Sequence, residues 1–291
     1  MDRRVLAVTW RVVRDAITHY NNDDGYAIAS HVAMSVLLAL FPFLIFVTTL
    51  AGFLGAGIYA QPAIDLVFAS VPDVIAKPIA GEIHAVLSVP RGGLLTVSAV
   101  LALYFASNGV EAVRTALNRA YRVQETRTFY WCRVQSLFFI VVAAAGMLSM
   151  GLLLILPLRV WPWLHAVLPD AVTYTETLQF WRFAIVFSVL VIVLYMAHLW
   201  LPAKRPAMSV LWPGISLTVI FWISGSLTFA TYLEIFASYS ATYAGLAGVV
   251  IALVFLYLMA AILILGAEIN TSIGRYRIAG FSTRQADPDA G

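Results

Sequence analysis

Six apolar runs, each about as long as a membrane is thick, occupy most of this chain. A bilayer core needs about 20 apolar residues of α-helix, and in lipid only helices and closed barrels pair every backbone N–H and C=O group. Continuous apolar runs are typical of the helical solution, so the sequence predicts an all-α, polytopic transmembrane bundle with six spans. The predicted spans cover residues 27–54, 94–113, 134–158, 180–201, 210–233 and 243–267.

The charged residues are few, and their distribution predicts the orientation of the bundle. They make up 11% of the chain, against about 25% in soluble domains, which excludes a soluble protein. Of the 18 Lys and Arg residues, 14 lie on one side of the predicted membrane and four on the other. Because cytoplasmic loops carry the excess of positive charge, both termini are predicted to be cytoplasmic. The basic excess is therefore a topology signal, and no nucleic-acid partner is predicted.

Outside the spans, the sequence predicts a short N-terminal helix, loop helices and a short tail. Residues 1–26 combine arginines with an apolar stripe, which predicts an amphipathic helix on the cytoplasmic leaflet followed by a turn. The stripe has helical spacing: Leu6, Trp10, Val13 and Ile17. The membrane domain covers 27–275, with short helices predicted in the first outer loop, 57–92. Residues 276–291 are predicted to form a disordered cytoplasmic tail.

The polar side chains of the spans gather, in this topology, at the cytoplasmic ends of four helices. The candidate ligand-binding or ion-coupling residues there are His31, Asn108, Glu111, Arg114, Asn118, His198, Glu268 and Asn270. Arg114 lies three residues after Glu111 and four before Asn118, so the three side chains can share one helix face. Two interpretations stay open. One is an interfacial ion pair between Glu111 and Arg114, and the other is a water-filled vestibule that both line with Glu268 and a histidine.

Three single residues in the spans have both a structural and a functional interpretation. Pro42 removes a backbone hydrogen bond in the middle of the first span, which predicts a kink; a mobile hinge is the sharper interpretation. His31 and His198, taken singly, are more typical of hydrogen bonds between helices than of ligand binding. Their functional role depends on the vestibule.

Metal and catalytic signatures are missing from the sequence. The five histidines are scattered, and no His-x-x-x-His, His-Glu-x-x-His or Cys-x-x-Cys pair is present, so no metal site is predicted. The single cysteine excludes an internal disulfide. There is no phosphate-binding glycine loop and no nucleophile elbow either. We therefore predict no cofactor and no enzymatic activity.

Several short strings follow one another in an order that forms a specific combination. They are Phe41-Pro42, Ala116-Leu117-Asn118-Arg119-Ala120-Tyr121, Ala237-Ser238-Tyr239-Ser240 and Gly266-Ala267-Glu268-Ile269-Asn270. The sequence resembles the YihY / virulence factor BrkB family of bacterial inner-membrane proteins over about residues 10–275. It departs from that family at His31 and Val32, where a Tyr-Tyr pair is common, so no role of those tyrosines carries over.

The resemblance implies six spans, a place in the bacterial inner membrane and an envelope role for which transport has been proposed. The family also carries the older name ribonuclease BN. A metal-dependent ribonuclease needs clustered His and Asp ligands, which this sequence lacks, so no ribonuclease activity is predicted.

We predict a multi-pass inner-membrane protein that transports or handles a lipid or small solute, in contact with membrane lipids and compatible with a homo-oligomer. In this hypothesis Glu111 and Glu268 bind a cation or proton, or pair with Arg114 around an anionic group. The alternative is a non-transporting envelope protein that organises lipids or other proteins. A cavity that reaches Glu111 and Glu268 from the cytoplasm favours transport, and tight packing there favours the alternative.

Overall fold

A computed structural model describes residues 3–53, 95–167, 175–236 and 244–286, and in these ranges the protein is all-helical. Seven α-helices follow one another: α1 (Arg3–Asn22), α2 (Gly25–Phe53), α3 (Leu95–Ala120), α4 (Phe129–Val167), α5 (Thr175–Trp200), α6 (Met208–Phe236) and α7 (Ala244–Ala286). The predicted all-α class is confirmed. The loop helices predicted within 57–92 lie outside the described residues.

Three stretches of the described helices are long and apolar enough to cross a membrane. They are Phe129–Gly146 in α4, Met208–Leu233 in α6 and Gly248–Tyr276 in α7. Shorter apolar stretches, Gly25–Leu40 and Ala184–Trp200, lie in α2 and α5. The six spans and the cytoplasmic side of both termini stay predictions.

The helices extend past the predicted spans on both sides of the loop between the second and third span. α3 continues to Ala120, although its apolar run ends at 113, and α4 begins at Phe129, before the run that starts at 134. Hydropathy falls at Glu111 and Arg114. An α-helix is held by hydrogen bonds between backbone groups, however, and does not require apolar side chains. The connection is therefore only 121–128.

The last helix, α7, is also longer than the sequence predicts. α7 is helical through Ala286, whereas the tail is predicted to be disordered from 276. The segment 276–286 contains no proline, and the next one is Pro288. Nothing in its backbone chemistry interrupts the helical hydrogen-bond ladder.

α7 packs against four other helices, α1, α2, α3 and α6. The core that it shares with α2 and α3 is rich in alanine, and Ala29, Ala116 and Ala267 are fully buried there. Small side chains let membrane helices approach closely, which strengthens van der Waals packing. These alanines therefore lie at the contact between α2, α3 and α7.

α6 and α7 pack closely where two glycines, Gly214 and Gly266, face each other. A Cβ atom placed on Gly214 would overlap the carbonyl oxygen of Gly266 and the side chain of Asn270. A Cβ atom on Gly266 would overlap the hydroxyl of Thr218. The hydroxyl of Thr218 donates to the Gly214 carbonyl over 2.9 Å, which satisfies that group inside the contact. Both positions therefore require glycine.

α1 packs one apolar stripe against α7 and leaves another exposed. Val12 and Ala16 are buried against Ile269, whereas Trp10 and Ile17 of the predicted stripe are exposed. The exposed stripe is available to a membrane surface, as the leaflet helix of the prediction requires. Hydrophobic spacing reveals this stripe more readily because the buried one is built from smaller side chains.

Candidate functional site

Most of the predicted site residues lie at one end of the bundle, where α3 and α5 end and α4 and α6 begin, next to residues 268–272 of the longer helix α7. We call this region the polar end. It comprises the connection 121–128 and the polar side chains of the groups described below. The side chains there form separate groups, which are described in turn.

The first group joins α3 to α4 through a buried arginine. Arg114 is 2% exposed, and its Nη1 lies 2.5 Å from Glu111 Oε2, so the pair expected from the i, i+3 spacing is formed. Nη2 donates to the Cys132 carbonyl over 2.8 Å and to Ser136 Oγ over 2.9 Å. The Ser136 hydroxyl in turn donates to Glu111 Oε1 over 2.9 Å. Glu111 thus neutralises the buried charge, as burial requires, and Nη2 is bonded within the protein, whereas Nε has no acceptor among the described residues.

The second group ties the end of α3 to the segment that follows α5. Asn118 Nδ2 donates to Glu125 over 3.0 Å, and Asn118 Oδ1 accepts from the Ala203 N–H over 2.7 Å. Arg127 binds Glu125 over 2.7 Å and donates to the Leu201 carbonyl over 2.6 Å. Donation from Arg127 lowers the pKa of Glu125 to about 2. All of these partners belong to the protein, so Asn118 acts here as a connector.

The third group surrounds Glu268, which is 1% exposed. Its carboxylate accepts from Arg122 Nη2 over 3.1 Å, and the same nitrogen lies 3.9 Å from Asp15 on α1. Ser272 on α7 donates to Asp15 over 2.8 Å. Glu268 and Glu111 therefore belong to different ion groups, each with its own arginine.

The backbone at the end of α3 aims Arg122 at this carboxylate. Arg122 has φ 56°, a left-handed conformation that favours glycine. Its N–H bonds to the Arg119 carbonyl over 2.8 Å, and the Val123 N–H bonds to the Asn118 carbonyl over 2.9 Å. This pattern is a Schellman motif with arginine in place of the usual glycine. The ion pair with Glu268 offsets the conformational cost.

The fourth group links α5, α6 and α7 through a tyrosine. Burial raises the pKa of the Tyr121 hydroxyl above its usual range. The hydroxyl shares a hydrogen bond of 2.7 Å with His198 Nδ1, and the other ring nitrogen of His198, Nε2, is buried with no partner among the described residues. Asn270 donates to Tyr121 over 3.4 Å and accepts from the Gly214 N–H over 2.7 Å.

Asn108 belongs to a fifth group, centred on Arg133, one of the basic residues between the second and third predicted spans. Arg133 Nη1 donates to Asn108 Oδ1 over 2.9 Å and to the hydroxyl of Ser107. Its guanidinium carbon lies 4.8 Å from the centre of the Tyr104 ring and 5.1 Å from that of Phe129. The apolar run begins at 134, so Arg133 looks like a loop residue, although it lies in the second turn of α4.

Two predicted residues do not join any of these groups. His31 is exposed on the second turn of α2, away from the contacts that hold the polar end together. Pro42 lies inside α2, which continues as one helix from Gly25 to Phe53. The hinge at Pro42 and the ligand role of His31 stay predictions.

A cavity of about 370 Å³ lies between α2, α3, α4 and α5. Its lining is entirely apolar: Val36, Ala39, Leu40, Phe43, Ala106, Gly109, Val110, Val113, Phe138, Phe139, Ile140, Val142, Ala143, Val193, Met196, Ala197 and Leu201. None of the eight predicted ligand-binding residues is in this lining. The cavity therefore offers dispersion contacts and burial of apolar surface, but no charge.

The polar end as described does not form a coordination site. Within the described ranges, no group of three or more His, Cys, Asp or Glu side chains is arranged to hold a metal ion. Glu111, whose side chain is 28% exposed, is the most accessible carboxylate of the predicted set. Arg114 and Glu268 face protein partners.

Comparison with known proteins places this helical bundle in a family. The family model described as virulence factor BrkB matches residues 16–290. The chain belongs to the virulence factor BrkB family. This confirms the resemblance derived from the sequence, and the protein is accordingly a membrane protein with apolar helices.

Two curated relatives cover most of this BrkB-family chain. The putative ribonuclease-like protein YfkH of Bacillus subtilis (strain 168) is 30% identical over 262 residues, 89% of this chain and 93% of that protein. The UPF0761 membrane protein RC1_0578 of Rhodospirillum centenum (strain ATCC 51521 / SW) is 27% identical over 271 residues. This alignment covers 91% of this chain and 58% of the RC1_0578 protein, which is longer. No solved structure matches the chain.

Proposed function

We propose that this BrkB-family protein is a six-span protein of the bacterial inner membrane, with cytoplasmic termini, that binds the apolar chain of a lipid-like solute. The binding site is the cavity between α2, α3, α4 and α5. The apolar lining of this cavity is the observation that carries the proposal. Transport or presentation of the bound molecule is the cellular role that such a site serves.

The size and chemistry of the cavity fit this ligand class. Its volume of about 370 Å³ is within the range of about 300–1,000 Å³ typical of ligand pockets. An ion or a polar solute gains nothing from such a lining, because it would lose its hydration without new hydrogen bonds. An acyl chain, in contrast, exchanges lipid contacts for a fitted apolar wall. The polar end then supports the walls, since its side chains bond to one another.

A non-transporting role in organising lipids or proteins is the second candidate. The pairing of Arg114 with Glu111, and of Glu268 with Arg122, favours it. These ion pairs give the polar end the close internal contacts that a scaffold needs. The water-filled vestibule stays a prediction, and Glu111, whose side chain is 28% exposed, is the predicted lining residue that water reaches most easily. We further propose that the protein is not an enzyme and needs no cofactor, since its sequence carries no phosphate-binding glycine loop, nucleophile elbow or paired metal-ligand motif.

Filling the cavity tests the acyl-chain site. Ala143 contributes to its wall, and Ala143→Phe places a ring in the space. Ala145 lies two residues further along α4, is exposed and is not part of the lining, so Ala145→Phe is the matched control. Native mass spectrometry of the detergent-purified protein would measure the affinity for neutral monoacylglycerols of increasing chain length.

We expect wild-type affinity to rise with chain length, because each buried methylene contributes about 0.8 kcal/mol. Ala143→Phe should lower the affinity for long chains by about tenfold, equivalent to about 1.4 kcal/mol, and Ala145→Phe should change it by less than about twofold. Equal affinities in all three proteins, or no dependence on chain length in the wild type, would exclude the cavity as the site.

A further inference from the structure

Arg133 carries a positive charge that the described part of the protein does not neutralise. Its Nη1 donates to two neutral oxygen atoms, those of Ser107 and Asn108. Every other arginine that bonds inside the polar end has a carboxylate within 4.0 Å, but among the described residues Arg133 has none. A charge in a membrane-spanning helix is costly unless it is paired. The charge of Arg133 is therefore available to an anion that the described residues do not supply.

The guanidinium is held in one orientation and keeps a donor free. The rings of Tyr104 and Phe129 lie within 5.1 Å of its central carbon, which fixes the plane by cation–π contact. Nη2 has no acceptor among the described protein groups and, unlike Nε, is not buried. Arginine binds phosphate through its planar fork of N–H groups, in contrast to the point charge of lysine. The site thus presents an oriented N–H group outward from the protein.

The surroundings of this donor are those of a membrane interface. Tyr104, Phe105, Phe129, Tyr130 and Trp131 are all at least half exposed. Tyrosine and tryptophan, which make up three of the five, concentrate at the level of the lipid headgroups. The anion that completes the site is therefore one that arrives attached to acyl chains, with the apolar parts of these rings against the chains.

We propose that Arg133 binds the phosphate of a phospholipid at the lipid-facing seam between α3 and α4. Ser107, Asn108 and the two rings position the guanidinium, and Nη2 donates to a phosphate oxygen. The ligand class is an anionic phospholipid such as phosphatidylglycerol. The site is separate from the apolar cavity, because neither Arg133 nor its four partners belong to the cavity lining.

Native mass spectrometry with lipids of equal chains and different headgroups tests this proposal. The wild type should bind phosphatidylglycerol about tenfold more tightly than a diacylglycerol of the same chains, which lacks the phosphate. Arg133→Gln should abolish this preference. Arg119→Gln is the control, because Arg119 is an exposed arginine of the same end of the bundle whose side chain makes no hydrogen bond to the part of the chain that the structure describes. Arg119→Gln should change the ratio by less than about twofold.

Several outcomes would overturn the proposal. One is the absence of a phosphate preference in the wild type, a measurement that needs no variant and so decides even if Arg133→Gln does not fold. Another is an equal loss in Arg133→Gln and Arg119→Gln, which indicates nonspecific charge attraction. A third is displacement of the lipid by inorganic phosphate at similar concentrations, which indicates a site for free anions. Ala143→Phe should keep the headgroup preference, so failure of the cavity hypothesis and failure of this one are distinguishable.

Discussion

The crossing of α6 and α7 makes a sharp prediction about a single methyl group. In Gly214→Ala, the new Cβ would overlap the Gly266 carbonyl and the Asn270 side chain, so the two helices must separate. Separation breaks the buried hydrogen bond from the Gly214 N–H to Asn270 Oδ1, which is now 2.7 Å. Losing that bond costs about 1–3 kcal/mol, and the overpacking costs about 1–3 kcal/mol more.

Alanine also has a higher intrinsic helix propensity than glycine, which offsets this destabilisation by about 1 kcal/mol. The expected net destabilisation of Gly214→Ala is therefore about 1–5 kcal/mol. The matched control is Gly146→Ala on α4, where a Cβ meets nothing within 4 Å, so only the helix preference acts. That variant should be unchanged or up to about 1 kcal/mol more stable. Gly225→Ala, with contacts at 3.6 and 3.8 Å, should lie close to this control.

Unfolding of the three variants by SDS in mixed micelles, followed by circular dichroism, gives the free energies directly. The order of stability should be Gly146→Ala, then Gly225→Ala, then Gly214→Ala. If Gly214→Ala is as stable as Gly146→Ala, the helices are not in contact at this point, and the close approach of α6 and α7 is refuted.

Two further predictions concern the ion pairs of the polar end. Glu111→Gln should destabilise the protein by about 3 kcal/mol in the same assay, because it leaves the buried Arg114 charge unpaired. The same change should cost less than about 1 kcal/mol when Arg114 is already Gln, and additive losses would show that the pair is not coupled. The pKa of Glu125 is about 2 in the fold, below its ordinary value of 4.5, so its pairing with Arg127 stabilises the protein above pH 4.5 and is lost as the pH falls towards 2. Melting temperatures should therefore drop more steeply over this interval in the wild type than in Glu125→Gln, and parallel curves would contradict the assigned cause.

The sequence predicts the helices well because membrane helices follow apolarity. The sequence misplaces the ends of helices where the helical backbone continues beyond the apolar run. α3 continues past 113 through Arg114 to Ala120, since the bonds made by Arg114 and Asn118 replace water around the polar residues. A hydropathy criterion reads these residues as a loop, whereas their partners on α4 and after α5 keep them inside the bundle.

Prediction of the site succeeds for neighbours on one helix and fails across helices. Glu111 and Arg114 pair as their spacing indicates. The partners of Glu268 could not be read from the chain, because Arg122 is 146 residues away and reaches it through a left-handed backbone. Arg133 escapes sequence reasoning for another reason: the role that we propose for it depends on having no carboxylate within 4.0 Å among the described residues, and only three-dimensional structure reveals this.

The contact of Asp15 with Ser272 joins the first helix to the last across 257 residues, and this has a consequence for biosynthesis. A chain made from its N-terminus completes α1 long before α7 has been synthesised. Until then Val12 and Ala16, which later pack on α7, need another apolar surface, and the adjacent leaflet can supply one. Docking of α1 on α7 therefore has to wait until α7 itself has been synthesised.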